Sequence, residues 1–221
     1  MPNLKELVSQ YGSPDILIDS FNKQDKRYAI WGFEEVLQIK NSGLYLNNQL
    51  IKDDWDKVFQ STINKWKKES KNQKVACAGF VSYEFKKYLY QHIRFNNNLN
   101  NSFPYLWFCK PTKIREYDLT QSDYNVESIK LNLNKDIMSL TNYNSKISHI
   151  KNYLKNGDVY QINFTDKKNF GLDKLNSFNL YQILRDTAKP QEGFFMQTDE
   201  FDILSLSPES FLKIKDGIIE T

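Results

Sequence analysis

The sequence is poor in cysteine, histidine and arginine, and each shortage excludes a class of site. The 221 residues contain only two cysteines and two histidines. No CxxC pair or Cys/His cluster is present, so the ligand spacing of a zinc site and the framework of a disulfide-rich domain are both missing. The arginines are limited to Arg27, Arg94, Arg115 and Arg185, which leaves few bidentate clamps for phosphate. We therefore expect reduced thiols and no metal bound by these residue types.

The charge balance and the missing motifs exclude further classes of function. Thirty Lys and Arg residues oppose 27 Asp and Glu, a net charge of +3, which gives no reason to expect nucleic acid or an anionic membrane as partner. No apolar run reaches the roughly 18 residues of a transmembrane helix, and no signal-like apolar region follows the N-terminus. A P-loop, a GxGxxG turn and a GxSxG elbow are also absent. We expect a soluble, cytoplasmic protein.

The hydrophobic pattern predicts an α+β fold of predominantly antiparallel sheets with few helices. Hydrophobic residues make up 40% of the chain, enough for a packed core. Apolar residues at helical spacing predict helices over 53–69, 141–155 and 177–188. Strands are predicted, from their apolar runs or alternation, over 16–20, 27–33, 36–48 (a hairpin), 75–85, 105–118, 125–134, 159–172 and, as a pair, 194–207.

Turn and cap residues place the ends of several elements. Thr141 or Asn142 is expected to cap the second helix, and Gly157 to close it. Ser177 is the expected cap of the third helix. Pro111 lacks a backbone N–H and therefore predicts a sheet edge or a break within its strand. Asp216–Gly217 predicts a tight hairpin turn near the end of the chain.

Polar side chains alternate along the segment 157–165, which reads GDVYQINFT. On a strand, Gln161, Asn163 and Thr165 would share one face, because side chains alternate with a period of two. Three hydrogen-bonding groups on one face suit a polar ligand cleft. On spacing alone, a solvated sheet face is the commoner explanation.

A carboxylate follows the apolar strand that ends in Ser207–Pro208. Proline stops the strand and leaves Glu209 at its end. A glutamate in that position, near aromatic side chains, can donate or accept a proton near neutral pH. By spacing alone, an exposed glutamate in a turn is the commoner outcome.

Together these segments resemble the chorismate-utilising enzymes, the family of component I of anthranilate synthase and of aminodeoxychorismate synthase. The family's GD-x-YQ-x-N and SPE-x-FL motifs and its DG-x-x-ET hairpin are matched, in order, at 157–163, 207–212 and 216–221. Weaker matches occur upstream, at Leu17–Ser20, Arg27–Ile30 and Gly79–Glu84. The resemblance is collinear along almost the whole chain.

The resemblance implies a fold of two subdomains around large antiparallel sheets, with a chorismate cleft between them. Residues 1–135 would be the N-terminal region, and residues 136–221 the start of the chorismate-binding domain. Glu209 would transfer a proton when the ring hydroxyl is displaced. The family's tryptophan pocket maps onto Ser20, Tyr28, Ala29, Ile30 and Trp31. The proline-rich segment of that pocket is degraded here to Lys189–Gly193, which argues against feedback inhibition by tryptophan.

The LIDS form at 17–20 and the FVSYE strand are more similar to aminodeoxychorismate synthase than to anthranilate synthase. That resemblance implies conversion of chorismate and ammonia to 4-amino-4-deoxychorismate, for p-aminobenzoate and folate. It also implies Mg²⁺ and a glutaminase partner that supplies ammonia. The alternatives are part of an anthranilate synthase component I and a non-catalytic module that binds tryptophan or a partner.

The family's P-I-K-G-T segment, its Mg²⁺-binding glutamates and its chorismate carboxylate cradle follow the DG-x-x-ET hairpin. None of them lies within the 221 residues. We therefore expect the chain to be the N-terminal portion of an incomplete chorismate-binding fold, inactive alone, because groups that act as a unit do not work singly.

Overall fold

The computed structural model describes residues 1–22, 25–90, 92–95, 103–118, 131–133, 138–172, 176–215 and 217–221. In this part of the chain the helices are α1 (Leu4–Tyr11), α2 (Trp55–Glu69), α3 (Phe85–Leu89), α4 (Leu140–Asn156) and α5 (Ser177–Ala188). The strands are β1 (Ile16–Asp19), β2 (Arg27–Lys40), β3 (Gly43–Leu46), β4 (Gln49–Ile51), β5 (Ala78–Val81), β6 (Leu106–Tyr117), β7 (Leu131–Leu133), β8 (Phe170–Leu172), β9 (Glu192–Gln197), β10 (Asp202–Ser207), β11 (Lys213–Lys215) and β12 (Ile218–Glu220). The chain forms two compact units, one of Met1–Asp123 with Ser177–Thr221 and one of Tyr124–Asn176. The predicted family boundary at residue 135/136 is not tested by this grouping and stays a prediction.

An antiparallel sheet organises the first unit. Its strand order is β10-β9-β1-β2-β3-β4, with β6 pairing with both β2 and β5. The predicted hairpin forms where β2 turns into β3, with Lys40 opposite Gly43. Every ladder between named strands is antiparallel, so the expected α+β, predominantly antiparallel fold is confirmed.

Alternating residues of the central strands fill both sides of this sheet. Leu17, Ala29 and Phe195 pack on one side with residues of α1 and α5. Ile16 and Ile30 face the other side, in a cluster that includes Trp107, Cys109 and Met196. Because side chains on a strand alternate, β1 and β2 are apolar on both faces and lie inside the structure.

Helix α2 covers the far half of β2, as its apolar spacing predicts. Trp66 is fully buried against Leu37 and Ile39 in this second part of the core. Asp54 caps the helix by accepting from the N–H of Asp56 at 3.1 Å. The helix expected over 53–69 is therefore confirmed.

Pro111 lies inside the continuous strand β6 and does not break it. It stands opposite Phe33, at a shift of register between Phe33 and Glu35 of β2. The neighbouring strand β5 pairs only with residues 106–109 of β6. Pro111 thus lies where one side of β6 has no ladder partner in the described ranges, which is where a residue without an N–H is tolerated.

Three predicted boundaries are wrong. The strand expected over 75–85 is confined to β5, because the chain turns after Val81 and continues into α3. Helix α4 is capped by Ser139, whose hydroxyl accepts from the N–H of Asn142 at 3.2 Å, so neither predicted cap residue is used. Ser177 is the first residue of α5, and its buried hydroxyl has no hydrogen-bond partner in the described structure.

The second unit contains α4 and the short antiparallel pair β7–β8. Gly157 closes α4 in the left-handed region, with φ of 76°, as its sequence position predicts. Of the strand predicted over 125–134, only β7 lies among the described residues. None of the described helices is long and apolar enough to cross a membrane.

Candidate functional site

Ser20, the last residue of the LIDS segment, is buried where β1 ends. Its hydroxyl lies 2.7 Å from the carbonyl oxygen of Gln191 and 3.0 Å from Oδ2 of Asp25. The N–H of Phe21 donates to the carbonyl of Pro190 at 3.1 Å. The structure therefore brings Ser20 together with the degraded proline segment, two parts of the chain that the tryptophan-pocket prediction placed side by side.

The other four residues of the predicted tryptophan pocket are divided between the two faces of β2. Ala29 and Ile30 are fully buried, each in a different core cluster. Trp31 shares the face of Ala29, where its ring lies 5.3 Å from that of Tyr11 and its Nε1 donates to the carbonyl of Gly12. Burial and the charge of Glu116 raise the pKa of Tyr28. Their side chains do not converge on one cavity, and the pocket stays a prediction.

A buried ion cluster lies beside Ser20, and the sequence analysis missed it. Arg185 of α5 contacts Asp19 of β1 with Nη1 3.1 Å from Oδ2, and these side chains are 2% and 1% exposed. The Arg27 guanidinium donates to the Ser20 carbonyl and lies 3.8 Å from Asp19. A signal was present: Arg185 continues the row Phe178, Tyr181, Gln182 on the buried face of α5.

The pKa values of the groups in this cluster are set by their burial and by the negative charge of Asp19. Burial lowers the pKa of Arg185, but the charges of Asp19 and Asp186 outweigh that effect, so the net pKa is raised. Burial, and secondly the charge of Asp19, raise the pKa values of Tyr117 and Tyr181. The guanidinium is therefore permanently charged and both phenols stay protonated.

The hydroxyl of Tyr181 and the amide of Gln182, in the same layer, have no hydrogen-bond partner in the described structure. Gly193 makes the approach of Tyr181 possible, because a Cβ at Gly193 would lie 2.5 Å from the phenol oxygen. The cluster joins α5 to the strands β1 and β9, directly beside Ser20.

Glu209 lies just beyond β10 and is exposed. The hydroxyl of Ser207 donates to the backbone carbonyl of Glu209 at 2.7 Å, which fixes the turn. Within the described ranges its carboxylate forms no ion pair. Its role as a proton donor or acceptor stays a prediction.

The hairpin after Glu209 is confirmed, and it connects to the Ser20 region. β11 and β12 pair with Lys213 opposite Glu220, and Gly217 has φ of 79°; Asp216 lies outside the described residues. The Lys213 ammonium is 3.2 Å from Oδ1 of Asp25, whose other oxygen contacts Ser20. The hydrogen bond to Asp25 raises the pKa of Lys213. Asp25 thus joins the LIDS segment and the DG-x-x-ET hairpin, which are far apart in the sequence.

In the second unit, the strand predicted over 159–172 is wrong except for β8. The segment from Asp158 to Asn169 has no ladder partner in the described part of the chain, and Tyr160 is 96% exposed. The amide of Gln161 does lie beside that of Asn163, with Nε2 3.4 Å from Oδ1. Phe164 returns to α4, its ring 5.8 Å from that of Tyr143.

The described residues provide no magnesium site. No group of three or more His, Cys, Asp or Glu side chains among them could hold a metal ion. The described residues therefore do not fit a resident Mg²⁺. Cys77 and Cys109 are free thiols, as expected.

Comparisons with known proteins agree with this fold and these motifs. Residues 127–221 match the family model described as chorismate binding enzyme. The chain is 35% identical over 86 residues to aminodeoxychorismate synthase component 1 of Klebsiella aerogenes, a match covering 38% of this chain and 18% of that protein. It is 34% identical over 77 residues to the probable anthranilate synthase component 1 of Schizosaccharomyces pombe, covering 35% and 16%. The fold is similar to that of anthranilate synthase component I from Streptococcus pneumoniae TIGR4, with a TM-score of 0.64 at 17% identity.

The resemblance to the chorismate-utilising enzymes is thereby confirmed. The structural match covers 89% of this chain and 53% of the pneumococcal chain. The sequence matches span 18% and 16% of the two curated relatives. What those complete proteins do is therefore a matter of proposal for this chain.

Proposed function

We propose that this chain belongs to an enzyme that aminates chorismate, component I of an aminodeoxychorismate synthase. The observation that carries the proposal is the ordered series GDVYQIN, SPE and DG-x-x-ET within the residues that match the chorismate binding family. In the proposed reaction ammonia adds to the chorismate ring and the ring hydroxyl leaves as water. The product, 4-amino-4-deoxychorismate, would serve p-aminobenzoate and folate synthesis.

Glu209 is the residue of this chain proposed to move the proton. A hydroxyl is a poor leaving group unless it is protonated as it departs, so a carboxylic acid at that oxygen speeds the step. The side chain is exposed at a fixed turn, which leaves it accessible to a substrate. Gln161 and Asn163, side by side, are candidates for hydrogen bonds to the substrate's polar groups.

The resemblance supports three further parts of the proposal. The ammonia would come from a glutamine amidotransferase subunit. Mg²⁺ would bind through residues other than those described, since they offer no ligand group. Tryptophan at the Ser20 region is a weaker proposal, because Lys189–Gly193 retains one proline of the family segment and no tyrosine.

A second candidate is component I of an anthranilate synthase, favoured by the relatives of that name. The LIDS form and the degraded proline segment favour aminodeoxychorismate synthase. A third, a non-catalytic module that binds tryptophan or a partner, is supported only by the contact of Ser20 with Gln191.

The experiment is to read the gene in frame beyond codon 221 and to assay its complete product with chorismate and ammonium. We expect a continuation close to R-P-I-K-G-T and formation of 4-amino-4-deoxychorismate. Alanine in place of the lysine, with anthranilate as product, would support the second candidate. An unrelated continuation would overturn the family assignment.

Two matched samples complete the assay. Glu209→Gln in the complete protein should abolish most of the turnover, while Glu200→Gln, another exposed carboxylate of the same unit, should leave it unchanged. The 221-residue chain alone should give no turnover.

A further inference from the structure

A cleft of about 590 Å³ lies beside α3 and the β2–β3 turn in the first unit. Its volume is in the range of small-molecule sites, roughly 300–1,000 Å³. The cleft shares no residue with the segments assigned to chorismate chemistry or with the Ser20 region. Its lining combines aromatic rings, cations and one carboxamide.

The base of the cleft is held rigidly by Tyr105. This residue is 5% exposed. Its N–H donates to the carbonyl of Ile39 at 2.7 Å, and its carbonyl accepts from the N–H of Ser82 at 2.8 Å. Its phenol lies 3.2 Å from Oδ1 of Asn41 in the turn. Two backbone hydrogen bonds fix the position of Tyr105 and one side-chain hydrogen bond orients its ring, so the residue presents a preformed surface to a ligand.

Aromatic side chains extend this surface along α3. Tyr88 stacks on buried Phe85, with ring centroids 5.9 Å apart and planes 10° from parallel. Trp55 packs edge-on against both rings. Phe95 adds another ring to the lining, and the ammonium of Lys86 lies 5.5 Å from its centroid. Flat apolar walls of this kind favour a ring-shaped ligand over a flexible one.

The cations of the cleft form no ion pair among the described residues, although Glu84 lies at the start of the same helix as Lys87. Lys87 and Arg94 both line the cleft. From Phe85 to Tyr105 the sequence carries Lys86, Lys87 and Arg94 and no acidic residue. The cleft therefore concentrates positive charge in a protein whose net charge is only +3, and an anion bound there would relieve the repulsion.

We propose that this cleft binds a small carboxylate carried on a flat ring. The planar guanidinium of Arg94 matches a carboxylate in two parallel hydrogen bonds, and Lys87 adds a second charge. The rings of Tyr88, Phe95 and Tyr105 provide the surface for the body of the ligand. The cations alone would bind any small anion, and the rings alone would bind any flat apolar molecule. Specificity for this ligand requires that its carboxylate and its ring bind at the same time.

The test is equilibrium dialysis of the full 221-residue chain against 4-hydroxybenzoate, acetate, inorganic phosphate and benzamide. We expect 4-hydroxybenzoate to bind at least tenfold more tightly than any of the other three. Lys87→Met combined with Arg94→Met should weaken 4-hydroxybenzoate binding at least tenfold. Lys57→Met with Lys68→Met, which removes two cations from α2, should change it less than twofold.

Three results would overturn the proposal. If acetate or phosphate binds as tightly as 4-hydroxybenzoate, the cleft is a simple anion site. If benzamide binds as tightly, the carboxylate of the ligand does not contribute to binding. Unchanged binding in the Lys87/Arg94 variant would place the ligand elsewhere. Circular dichroism of that variant should match the parent chain, since neither cation forms an ion pair among the described residues. If the variant fails to fold, Arg94→Lys replaces it, and we expect a smaller but measurable loss of affinity.

Discussion

At the residue scale, the strongest constraint is the charge pair that the core encloses. Asp19 and Arg185 come from distant parts of the chain and are almost completely buried. Removing Asp19 leaves the buried guanidinium of Arg185 with only the partly exposed Asp186, 2.8 Å away, as its anionic partner, and breaking a buried pair in this way costs more than the pair itself contributes.

Asp19→Asn should therefore lower the free energy of unfolding by about 3–5 kcal/mol. Urea denaturation followed by tryptophan fluorescence measures the change. Asp118→Asn, at an exposed pair with the N-terminus, is the control and should cost about 1 kcal/mol or less. Equal effects of the two substitutions would show that the buried pair is not desolvated.

The two thiols should differ in reactivity because they differ in burial. Burial raises the pKa of Cys109 to about 12 and also raises that of Cys77, which is only partly buried. A raised pKa lowers the thiolate fraction, so at pH 8 only about one Cys109 in ten thousand would be ionised. We expect one thiol at most to react with iodoacetamide in the native chain and both in urea. Modification of Cys109 in the folded chain, detected by peptide mass analysis, would contradict this.

At the scale of elements, helix α4 shows how a cap selects a boundary. Ser139, with φ of −63° and ψ of 150°, accepts from the N–H of Asn142. The two candidates favoured by sequence lie inside the helix, where a hydroxyl or amide cannot occupy the cap position.

Ser139→Ala should thus destabilise α4 by about 1 kcal/mol, and Thr141→Ala should not. Hydrogen exchange of the amides in the first turn measures the difference: we expect roughly fivefold faster exchange with Ser139→Ala, since 1 kcal/mol corresponds to about that factor. Faster exchange with Thr141→Ala instead would move the cap back to the residue predicted from sequence.

At the scale of the whole chain, the β11–β12 hairpin and the residues just before it carry exposed apolar side chains. Phe211 is 85% exposed, Ile214 71%, and Ile218 and Ile219 64% each. Ile214 and Ile219 lie opposite each other on one face of the hairpin, and Ile218 lies on the other face because side chains on a strand alternate. Exposed apolar side chains on a hairpin that pairs with no further strand among the described residues favour association between molecules.

The 221-residue chain should therefore self-associate at micromolar concentration. Ile214→Thr with Ile219→Thr, at positions directly opposite in the hairpin, should reduce the association by at least fivefold in sedimentation velocity experiments. Val81→Thr, an exposed residue of another strand, is the control. A monomeric parent chain would refute the prediction.

The order of most strands and helices, and the motifs that carry the family resemblance, could be predicted from the sequence alone. Three of these predictions depend on local signals, which can be recognised without a structure: the alternation over β1 and β2, the helical spacing over α2 and the turn at Gly217. The GDVYQIN motif could also be recognised from the sequence. Its predicted strand was wrong, because a strand exists only when another strand pairs with it. The structure was needed to show that Asp19 meets Arg185, that Ser20 meets Gln191, and that Lys87 and Arg94 share an aromatic cleft. The first two contacts join residues 166 and 171 positions apart, and the cleft forms only where α3 packs beside the β2–β3 turn. Helical spacing could indicate that Arg185 is buried, but no local pattern names the partner that it meets.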